Sequence, residues 1–397
     1  MLWRLFKDKA RLKRELCKRE SGYVYIGRPY LWERERKALK PLSPEEFISN
    51  ALFKEVEVFS LERPPENLKN LAVVVEEKLS SPLTEEEERA VEEGLASYGE
   101  LLYSKYGVRV IRPTSTLKDL KGATVLKKFV EEIKLSLNDG CLRPKGVFLI
   151  GIPGTGKSYS CFCSAGEMGR IVVELNISRI LESEKPIEAL ENFFELLGVL
   201  PPSVVWIDEI DKVFREADPD SERIKGRLLT LLEDFNTDRG YRGDCLFWTT
   251  ANDVRPIVQR NPEFFRRFDY LFFLQLPKTK EAEEIADYYL SSFSLKACKE
   301  LLKDYGTTER ALVRVASSFW QEVFSRSSSH GEDRFVYTPA EIKGLALKLA
   351  RRLRRLSTST FTRKDLETVM EKHYPSVIAY EEAVSAMKEQ LKYFAEV

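Results

Sequence analysis

The residues best suited to chemistry form a glycine-rich stretch, Gly-Ile-Pro-Gly-Thr-Gly-Lys-Ser at 151–158, directly after a short apolar run. Glycine lets the backbone turn tightly, so that successive N–H groups can point at phosphate oxygens, and a helix that follows adds its positive end. In this pattern Lys157 reaches the β- and γ-phosphates, and the Ser158 hydroxyl is a ligand for Mg²⁺. The stretch therefore predicts a site for ATP or GTP. Its predicted binding residues are Gly151, Pro153, Gly154, Thr155, Gly156, Lys157, Ser158 and Tyr159.

Two carboxylates follow a second apolar run, Val-Val-Trp-Ile at 204–207. Asp208 would stand at the end of a buried strand, where it can join the ligand shell of Mg²⁺. Glu209 is placed to polarise a water for attack on the γ-phosphate. Strands that end in solvated acidic residues are common, so the two acids alone do not indicate a functional site. Their position along the chain does, because one strand lies between this pair and Lys157. That spacing favours a metal role for Asp208 and a catalytic role for Glu209.

Five apolar runs must position these residues, and they are separated by helical segments. Such nearly unbroken runs are typical of a parallel sheet that is covered on both faces. Beyond Pro277 the pattern is helical. We therefore predict an α/β P-loop NTPase fold with a five-stranded parallel sheet, a C-terminal all-α lid and a small α/β N-terminal domain. The predicted strands are 147–150, 171–175, 204–207, 246–250 and 271–276.

Length and composition limit the number of domains and the class of protein. At 397 residues the chain is too long for one ordinary domain. The 63 basic and 63 acidic residues cancel, so bulk charge argues for neither nucleic acid nor a membrane. No signal peptide is visible, and no apolar run reaches the roughly 20 residues of a membrane span, which predicts a cytoplasmic protein. The predicted segments are a basic helix at 1–20, a degenerate α/β domain at 21–110, the nucleotide-binding core at 111–277 and the lid at 278–397.

With its carboxylate motif at 204–211, the chain resembles AAA+ ATPases of the AAA group. Two further motifs follow in that family's order. Thr-Thr-Ala-Asn-Asp at 249–253 resembles the sensor-one element, and the resemblance implies that Asn252 orients the attacking water. The segment 261–277 resembles the second homology region, in which an arginine reaches the γ-phosphate of a neighbouring subunit. Arg266 and Arg267 are the candidates, because a planar guanidinium offsets charge on the transferring phosphoryl oxygens.

Five further segments narrow the resemblance within this group: 22–40, 117–134, 203–214, 266–277 and 374–384. They resemble a family first described as a hypothetical chloroplast reading frame, also found in cyanobacteria. Its members carry a degenerate α/β half ahead of one AAA module. The resemblance implies ATP rather than GTP, Mg²⁺ as cofactor, and self-association into a ring such as a hexamer.

The chain departs at three places from the patterns of this family or of the wider AAA+ class. Arg266 and Arg267 are adjacent, whereas the family usually has two residues between its arginines, so the acting arginine stays open. The segment 177–185 lacks the aromatic–glycine pair with which AAA translocases grip a polypeptide. The start of 337–352 has no sensor-two arginine, as is normal for the AAA group. Threading of a polypeptide through a central pore is therefore not predicted.

Three functions remain open at this point. The leading hypothesis is an Mg²⁺-dependent ATPase that remodels or assembles a macromolecular partner. The first alternative is a DNA-associated ATPase, a loader or a replication or transposition accessory, because 1–20 carries eight Lys or Arg and 343–355 carries six. Amphipathic helices with solvated basic faces are the simpler interpretation of both segments, and we favour it. The second alternative is a nucleotide-gated scaffold with little hydrolysis.

Overall fold

The computed structural model describes most of the chain, in which two compact units are distinguished. Unit 1 comprises Met1–Arg112, Arg170–Ile207 and Glu216–Phe247, and unit 2 comprises Pro113–Gly169, Asp208–Arg215 and Trp248–Val397. Every predicted site residue lies in unit 2. The described residues are 1–69, 72–76, 99–100, 102–103, 107–137, 144–215, 219–236, 244–324, 335–376 and 394–396.

The N-terminal part of unit 1 contains a mixed six-stranded sheet with the strand order β4-β3-β2-β5-β1-β6. β1 is parallel to β5 and β6, while β2, β3 and β4 form an antiparallel meander. The strands are β1 (Leu2–Leu5), β2 (Ser21–Tyr25), β3 (Pro29–Glu33), β4 (Ala38–Pro41), β5 (Glu57–Ser60) and β6 (Val73–Glu76). The helices of this part are α1 (Lys9–Cys17), α2 (Pro44–Phe53) and α3 (Glu66–Lys69).

The helix predicted over 1–20 is wrong at its start, because Leu2–Leu5 form strand β1 and only Lys9–Cys17 are helical. Trp3 is fully buried, and β1 lies between two other strands. A short strand that is covered on both faces has a continuous apolar pattern, which periodicity cannot distinguish from a buried helix. Parts of the predicted segments 21–110 and 278–397 lie outside the described residues, and the predicted domain boundaries stay predictions.

The second sheet has seven strands in the order β15-β12-β8-β11-β10-β9-β7. All five predicted strands are confirmed within it. Two strands were not predicted: β7, which is antiparallel to β9, and β15, which is parallel to β12. The strands are β7 (Val108–Ile111), β8 (Gly146–Ile150), β9 (Ile171–Leu175), β10 (Ser203–Ile207), β11 (Cys245–Ala251), β12 (Tyr270–Phe273) and β15 (Ala395–Glu396).

The burial of these strands explains why they could be predicted from the sequence. Every residue of β8, β10 and β11 is buried, so the strands appear as unbroken apolar runs. Helices connect them: α4 (Thr124–Ser136), α5 (Lys157–Glu167), α6 (Ile177–Leu181), α7 (Pro186–Leu197), α8 (Asp211–Arg215), α9 (Pro219–Asn236), α10 (Arg255–Arg260) and a 3₁₀ helix (Pro262–Arg267).

The C-terminal part of unit 2 is mainly helical and has its own hydrophobic core. Leu345, Leu349 and Leu353 of one helix are fully buried there, together with Leu312 and Leu366. The helices are α11 (Thr279–Ser292), α12 (Lys299–Tyr305), α13 (Thr308–Phe324), α14 (Pro339–Arg355) and α15 (Arg363–Met370), with a short parallel pair β13 (Lys296–Ala297) and β14 (Thr360–Phe361). In the described part of the chain, no helix is long and apolar enough to cross a membrane.

Candidate active site

The glycine-rich loop connects the end of β8 to the start of α5. Gly154 and Gly156 have φ values of +88° and +98°, in the left-handed region that residues with side chains rarely adopt. A Cβ on Gly154 would also lie 2.8 Å from Thr338 Oγ1. Within the loop, Thr155 Oγ1 donates a hydrogen bond to the carbonyl oxygen of Ile152 at 2.9 Å. The loop is thus held in shape by its own hydrogen bonds and has no room for larger side chains at Gly154.

Lys157 is the first residue of α5, and only 7% of it is exposed. Its Nζ donates to the carbonyl oxygens of Gly151 at 2.6 Å and Ile152 at 3.1 Å, and to Asn252 Oδ1 at 2.8 Å. Burial withholds water from the ammonium and lowers the pKa of Lys157 to about 8, while Asp208 and nearby acids oppose that shift. A phosphate beside this side chain would supply the anionic partner that the three neutral oxygens do not.

Asn252 joins the phosphate loop to the carboxylates. Its Oδ1 accepts from Lys157, and its Nδ2 donates to Glu209 Oε1 at 3.0 Å. The orientation of this amide is fixed by chemistry, because an ammonium group can only donate and an ionised carboxylate can only accept. Its backbone N–H donates to Asp211 Oδ1 at 3.2 Å. The structure therefore brings together three residues that the sequence singled out, Lys157, Glu209 and Asn252.

Asp208 and Glu209 directly follow β10 and are both anchored by the hydroxyl of Thr250. Thr250 Oγ1 donates to Asp208 Oδ1 and accepts from the backbone N–H of Glu209 at 3.2 Å. Glu209 has a positive φ of 51°, and a hydrogen bond from Lys212 lowers the pKa of its carboxyl. Glu209 is thus held as an ionised carboxylate, in a backbone conformation that is uncommon outside glycine.

Three residues of this site were missed by the sequence analysis. Thr250 lies in the predicted motif at 249–253, where a polar residue inside a buried strand was an available signal. Asp211 is fully buried, and burial raises the pKa of its carboxyl although its Oδ2 accepts from Arg215. Lys212, in the first turn of α8, pairs with Glu209, which precedes that helix, and their spacing of three residues along the chain was an available signal.

The two candidate arginines differ in exposure and bonding. Both lie at the end of the 3₁₀ helix Pro262–Arg267. Arg267 is half-buried, and its Nη1 donates to the carbonyl oxygen of Glu263 at 2.7 Å. Arg266 is exposed, and no hydrogen bond or ion pair of its side chain is recorded with any described residue.

A cleft opens beside the phosphate loop, entirely within unit 2. Its walls include the segment 119–123, Gly156 and Tyr159 from the loop side, and Tyr288 and Tyr289 of α11. Tyr159 is 40% exposed, and burial raises the pKa of its phenol. The mixture of aromatic side chains and backbone polar groups suits a planar base next to a phosphate site.

The helix α14 begins directly against the phosphate loop. Thr338 is its N-cap and forms a reciprocal pair with Glu341, in which each side chain bonds the other's backbone N–H. The backbone N–H of Ala340 donates to the carbonyl oxygen of Gly154 at 3.2 Å. The cap residue and the loop glycine therefore define each other's position.

The protein oxygens offered for a metal ion fit Mg²⁺. Ser158 and Asp208 supply a hydroxyl and a carboxylate, both hard oxygen ligands. Among the described residues no cluster of three His, Cys, Asp or Glu side chains forms a metal site by itself. Mg²⁺ characteristically uses one or two protein ligands and completes its shell with phosphate oxygens and water, so this donor set is sufficient.

Comparison with known proteins agrees with this geometry. The model of the family described as "ATPase family associated with various cellular activities (AAA)" matches residues 147–276, which include the phosphate loop, the carboxylates, Asn252 and both arginines. Residues 147–276 form an AAA domain. The domain accounts for the α/β P-loop fold that the sequence predicted.

Relatives of the AAA domain include two proteins named AAA domain-containing protein ycf46. That of Pyropia yezoensis is 32% identical over 191 residues, which are 44% of this chain and 36% of the relative. That of Trieres chinensis is 31% identical over 216 residues, 51% of this chain and 40% of the relative. The ATP-dependent zinc metalloprotease FtsH of Rhodothermus marinus is 31% identical over 189 residues, 43% of this chain and 26% of the relative. The matches thus span well under half the length of these relatives.

Solved structures of an AAA domain share the fold. The FIGL-1 AAA domain aligns with a TM-score of 0.56 at 20% identity, covering 75% of this chain and 94% of that one. The same domain in complex with ADP aligns with a TM-score of 0.55 at 21% identity, covering 76% and 99%. At this identity the likeness supports the fold alone.

Proposed function

We propose that this AAA domain binds ATP with Mg²⁺ and hydrolyses it, and that the chain uses this cycle to remodel or assemble a macromolecular partner. The observation that supports hydrolysis most strongly is the bonded set of Lys157, Asn252 and Glu209. Hydrogen bonds connect the Lys157 ammonium to the Asn252 amide and that amide to the ionised carboxylate of Glu209, which supports the proposal that the three act together. A site for binding alone would not require the carboxylate.

Each residue has a role that follows from its chemistry. Loop N–H groups and Lys157 bind the β- and γ-phosphates. Ser158 and Asp208 would hold Mg²⁺, which supplies charge neutralisation for the phosphates when bound. Glu209 accepts a proton from the attacking water, and Asn252 fixes the position of Glu209. Tyr159, Gly151, Pro153 and Thr155 complete the loop and its cleft.

Arg266 is the better candidate for an arginine that acts on a neighbouring subunit. It is exposed, whereas Arg267 is half-buried and bonded to Glu263. A guanidinium that must reach a γ-phosphate in another copy has to be free to extend from the surface. We therefore propose self-association into a ring in which Arg266 completes the adjacent site, and the number of subunits follows only from the family resemblance.

A mixing experiment tests the shared site. Glu209→Gln and Arg266→Ala should each be inactive, because one lacks the base and the other lacks the trans-acting charge. When the two variants are mixed, some sites combine an intact Glu209 with a neighbour's intact Arg266, so ATP hydrolysis should return in part. Arg267→Ala serves as the matched control. Activity that stays absent in the mixture, and falls equally in Arg267→Ala, would contradict the shared site.

The DNA-associated alternative keeps one supporting observation. On α14, Leu345, Leu349 and Leu353 are buried and Leu347 is half-buried, which agrees with the simpler interpretation of 343–355. Arg351, Arg354 and Arg355 of the same helix are exposed. An exposed basic face of this kind binds duplex DNA with an affinity that falls steeply as salt rises. Stimulation of ATP hydrolysis by DNA, lost in the triple substitution of these arginines by Ala, would favour this function. Activity equal to that of Lys157→Ala under all conditions would instead favour the scaffold.

A further inference from the structure

The N-terminal part of unit 1 carries an open groove of about 780 Å³ that has no part in the nucleotide site. It lies beside α1, on the face of the six-stranded sheet that this helix covers. Its floor contains Val24, Trp32 and Leu39, and Leu12 and Leu16 of α1 form one wall. The volume falls within the range of ligand-binding clefts.

Strand register explains why this face remains partly uncovered. Val24 pairs with Phe59, and Trp32 pairs with Leu39, so these side chains share one face of the sheet. Helix α1 packs its Leu12 and Leu16 on Val24 and Phe59. Toward β3 and β4 the helix cover ends, and Leu39 is 37% exposed. The apolar floor thus continues past the helix into solvent.

The charged residues at the rim of the groove are all basic. Two of them lie on α1 and two lie between β3 and β4, and all four are exposed. None of the described residues that line the groove is acidic. Nearby basic residues of the same region are paired with acids: Arg11 with Asp8, Lys18 with Glu15, Arg19 with Glu57 and Arg36 with Glu33. The rim residues, by contrast, form no recorded ion pair in the described part of the chain. They are Lys9, Lys13, Arg34 and Lys37.

We propose that this groove docks an acidic, amphipathic segment of a partner protein. The apolar side of such a segment would cover Trp32 and Leu39, and its carboxylates would lie opposite the four rim cations. A nucleic acid fits less well, because its charged backbone would satisfy the rim but leave the apolar floor uncovered. The proposal rests on unit 1 alone and holds whether or not the AAA domain hydrolyses ATP.

A direct test uses the full chain and a fluorescein-labelled peptide of leucine and glutamate, with the leucines at positions i, i+3, i+4 and i+7. Fluorescence anisotropy should show saturable binding that weakens as salt rises. The same peptide with lysine in place of glutamate should not bind. Absence of binding by the acidic peptide, or equal binding of both peptides, would overturn the proposal.

Cys17 reports where the peptide binds, because it is an exposed thiol that lines the groove. Bound peptide should slow the alkylation of Cys17 by iodoacetamide, as measured by mass spectrometry of each cysteine. Cys298, which lies in unit 2 and is partly exposed, should be alkylated at an unchanged rate. Binding without protection of Cys17 would place the peptide elsewhere and contradict the proposal.

Charge reversal with a matched control completes the test. The double variant Lys13→Glu/Arg34→Glu should weaken peptide binding by about tenfold. Lys40→Glu is the control, because Lys40 is exposed on β4 but points to the opposite face from Leu39. Circular dichroism verifies that both variants fold. Equal weakening in both variants, or a DNA duplex that displaces the peptide and protects Cys17 equally well, would overturn the assignment to an acidic protein segment.

Discussion

Lys157 Nζ donates a hydrogen bond of 2.8 Å to Asn252 Oδ1, which links the phosphate loop to the residue that directly follows β11. The same amide donates to Glu209, so a single side chain fixes both the phosphate-binding ammonium and the carboxylate that would activate water. Two hydrogen bonds of Asn252 therefore connect the phosphate loop to Glu209. In the proposed mechanism, this connection holds the ammonium and the carboxylate in a fixed relation, and such positioning of reacting groups lowers the barrier to reaction.

Replacement of Asn252 by alanine should reduce turnover far more than binding. The variant loses the amide that positions Glu209, and misplacement of a catalytic group by about 1 Å costs on the order of a hundredfold. Lys157 keeps its two carbonyl partners, so ATP affinity should change by only a few fold. Steady-state hydrolysis and equilibrium binding of a fluorescent ATP analogue measure the two effects. Gln259→Ala removes an exposed amide from the nearby helix α10 and should change neither quantity.

Two adjacent threonines of β11 provide a matched pair. Thr250→Val removes the hydroxyl that bonds Asp208 and the backbone of Glu209, so Mg²⁺-dependent ATP affinity and turnover should both fall, turnover by roughly tenfold to a hundredfold. Thr249 is equally buried, but its Oγ1 has no hydrogen-bond partner among the described residues. Thr249→Val should therefore leave activity unchanged and be neutral or slightly stabilising. Equal losses in both variants would mean that the strand tolerates no substitution, and would remove the assigned role of Thr250.

Substitutions at two helix caps can distinguish an effect on stability from an effect on nucleotide binding. Thr338 and Thr362 both cap helices of the lid with reciprocal bonds to an acid three residues on, Glu341 and Asp365. Replacement of either by alanine should lower the free energy of unfolding by about 1 kcal/mol. Only Thr338 contacts Gly154, so only Thr338→Ala should weaken ATP binding, by several fold. Thermal unfolding and ATP titration measure both variants, and a similar loss of affinity in Thr362→Ala would contradict the contact's role.

The low pKa of Lys157 predicts proton uptake when ATP binds. The pKa is about 8 in the folded protein and ordinarily 10.5, so the unfolded chain binds more protons between these values. This residue therefore destabilises the ligand-free fold fully below pH 8, and the penalty disappears as the pH rises toward 10.5. A bound phosphate favours the charged form, because an opposite charge raises the pKa of an ammonium.

Calorimetry in two buffers of different ionisation enthalpy measures that uptake. At about pH 9, where part of Lys157 is neutral in the ligand-free protein, ATP binding should take up a fraction of a proton. At about pH 6.5 the side chain is already charged, and its contribution should vanish. Equal uptake at both values would show that Lys157 is not the group that titrates.

Much of the site was predictable because its signals are local. The glycine spacing, the apolar strands and the acids that end β10 are each contained in a few consecutive residues. The parallel sheet then follows from the rule that connected apolar strands with helices between them pair in parallel. Asn252 and the arginines were assigned by resemblance, and the domain match to 147–276 includes their positions.

The remainder depends on contacts between distant residues. Thr250 bonds Asp208, and Thr338 meets Gly154, yet nothing in the sequence near either threonine indicates its partner. Strand β1 was assigned to a helix because periodicity does not distinguish a short buried strand from a buried helix, and the adjacent Leu2 and Trp3, on opposite faces of the strand, are both fully buried. The sequence pattern thus indicates the helix or strand to which a residue belongs. The residue that its side chain contacts is known only from the folded structure.

Glu209 is proposed to activate the water that hydrolyses ATP in this domain, and the substitution Glu209→Gln tests that role. The substitution keeps the size of the side chain and its ability to bond Asn252 but removes the negative charge. ATP affinity should stay within about twofold of that of the unaltered chain, and turnover should fall by roughly a hundredfold or more, near the level of Lys157→Ala. Turnover that matches the unaltered chain would remove Glu209 from its proposed role and with it the mechanism derived from this site.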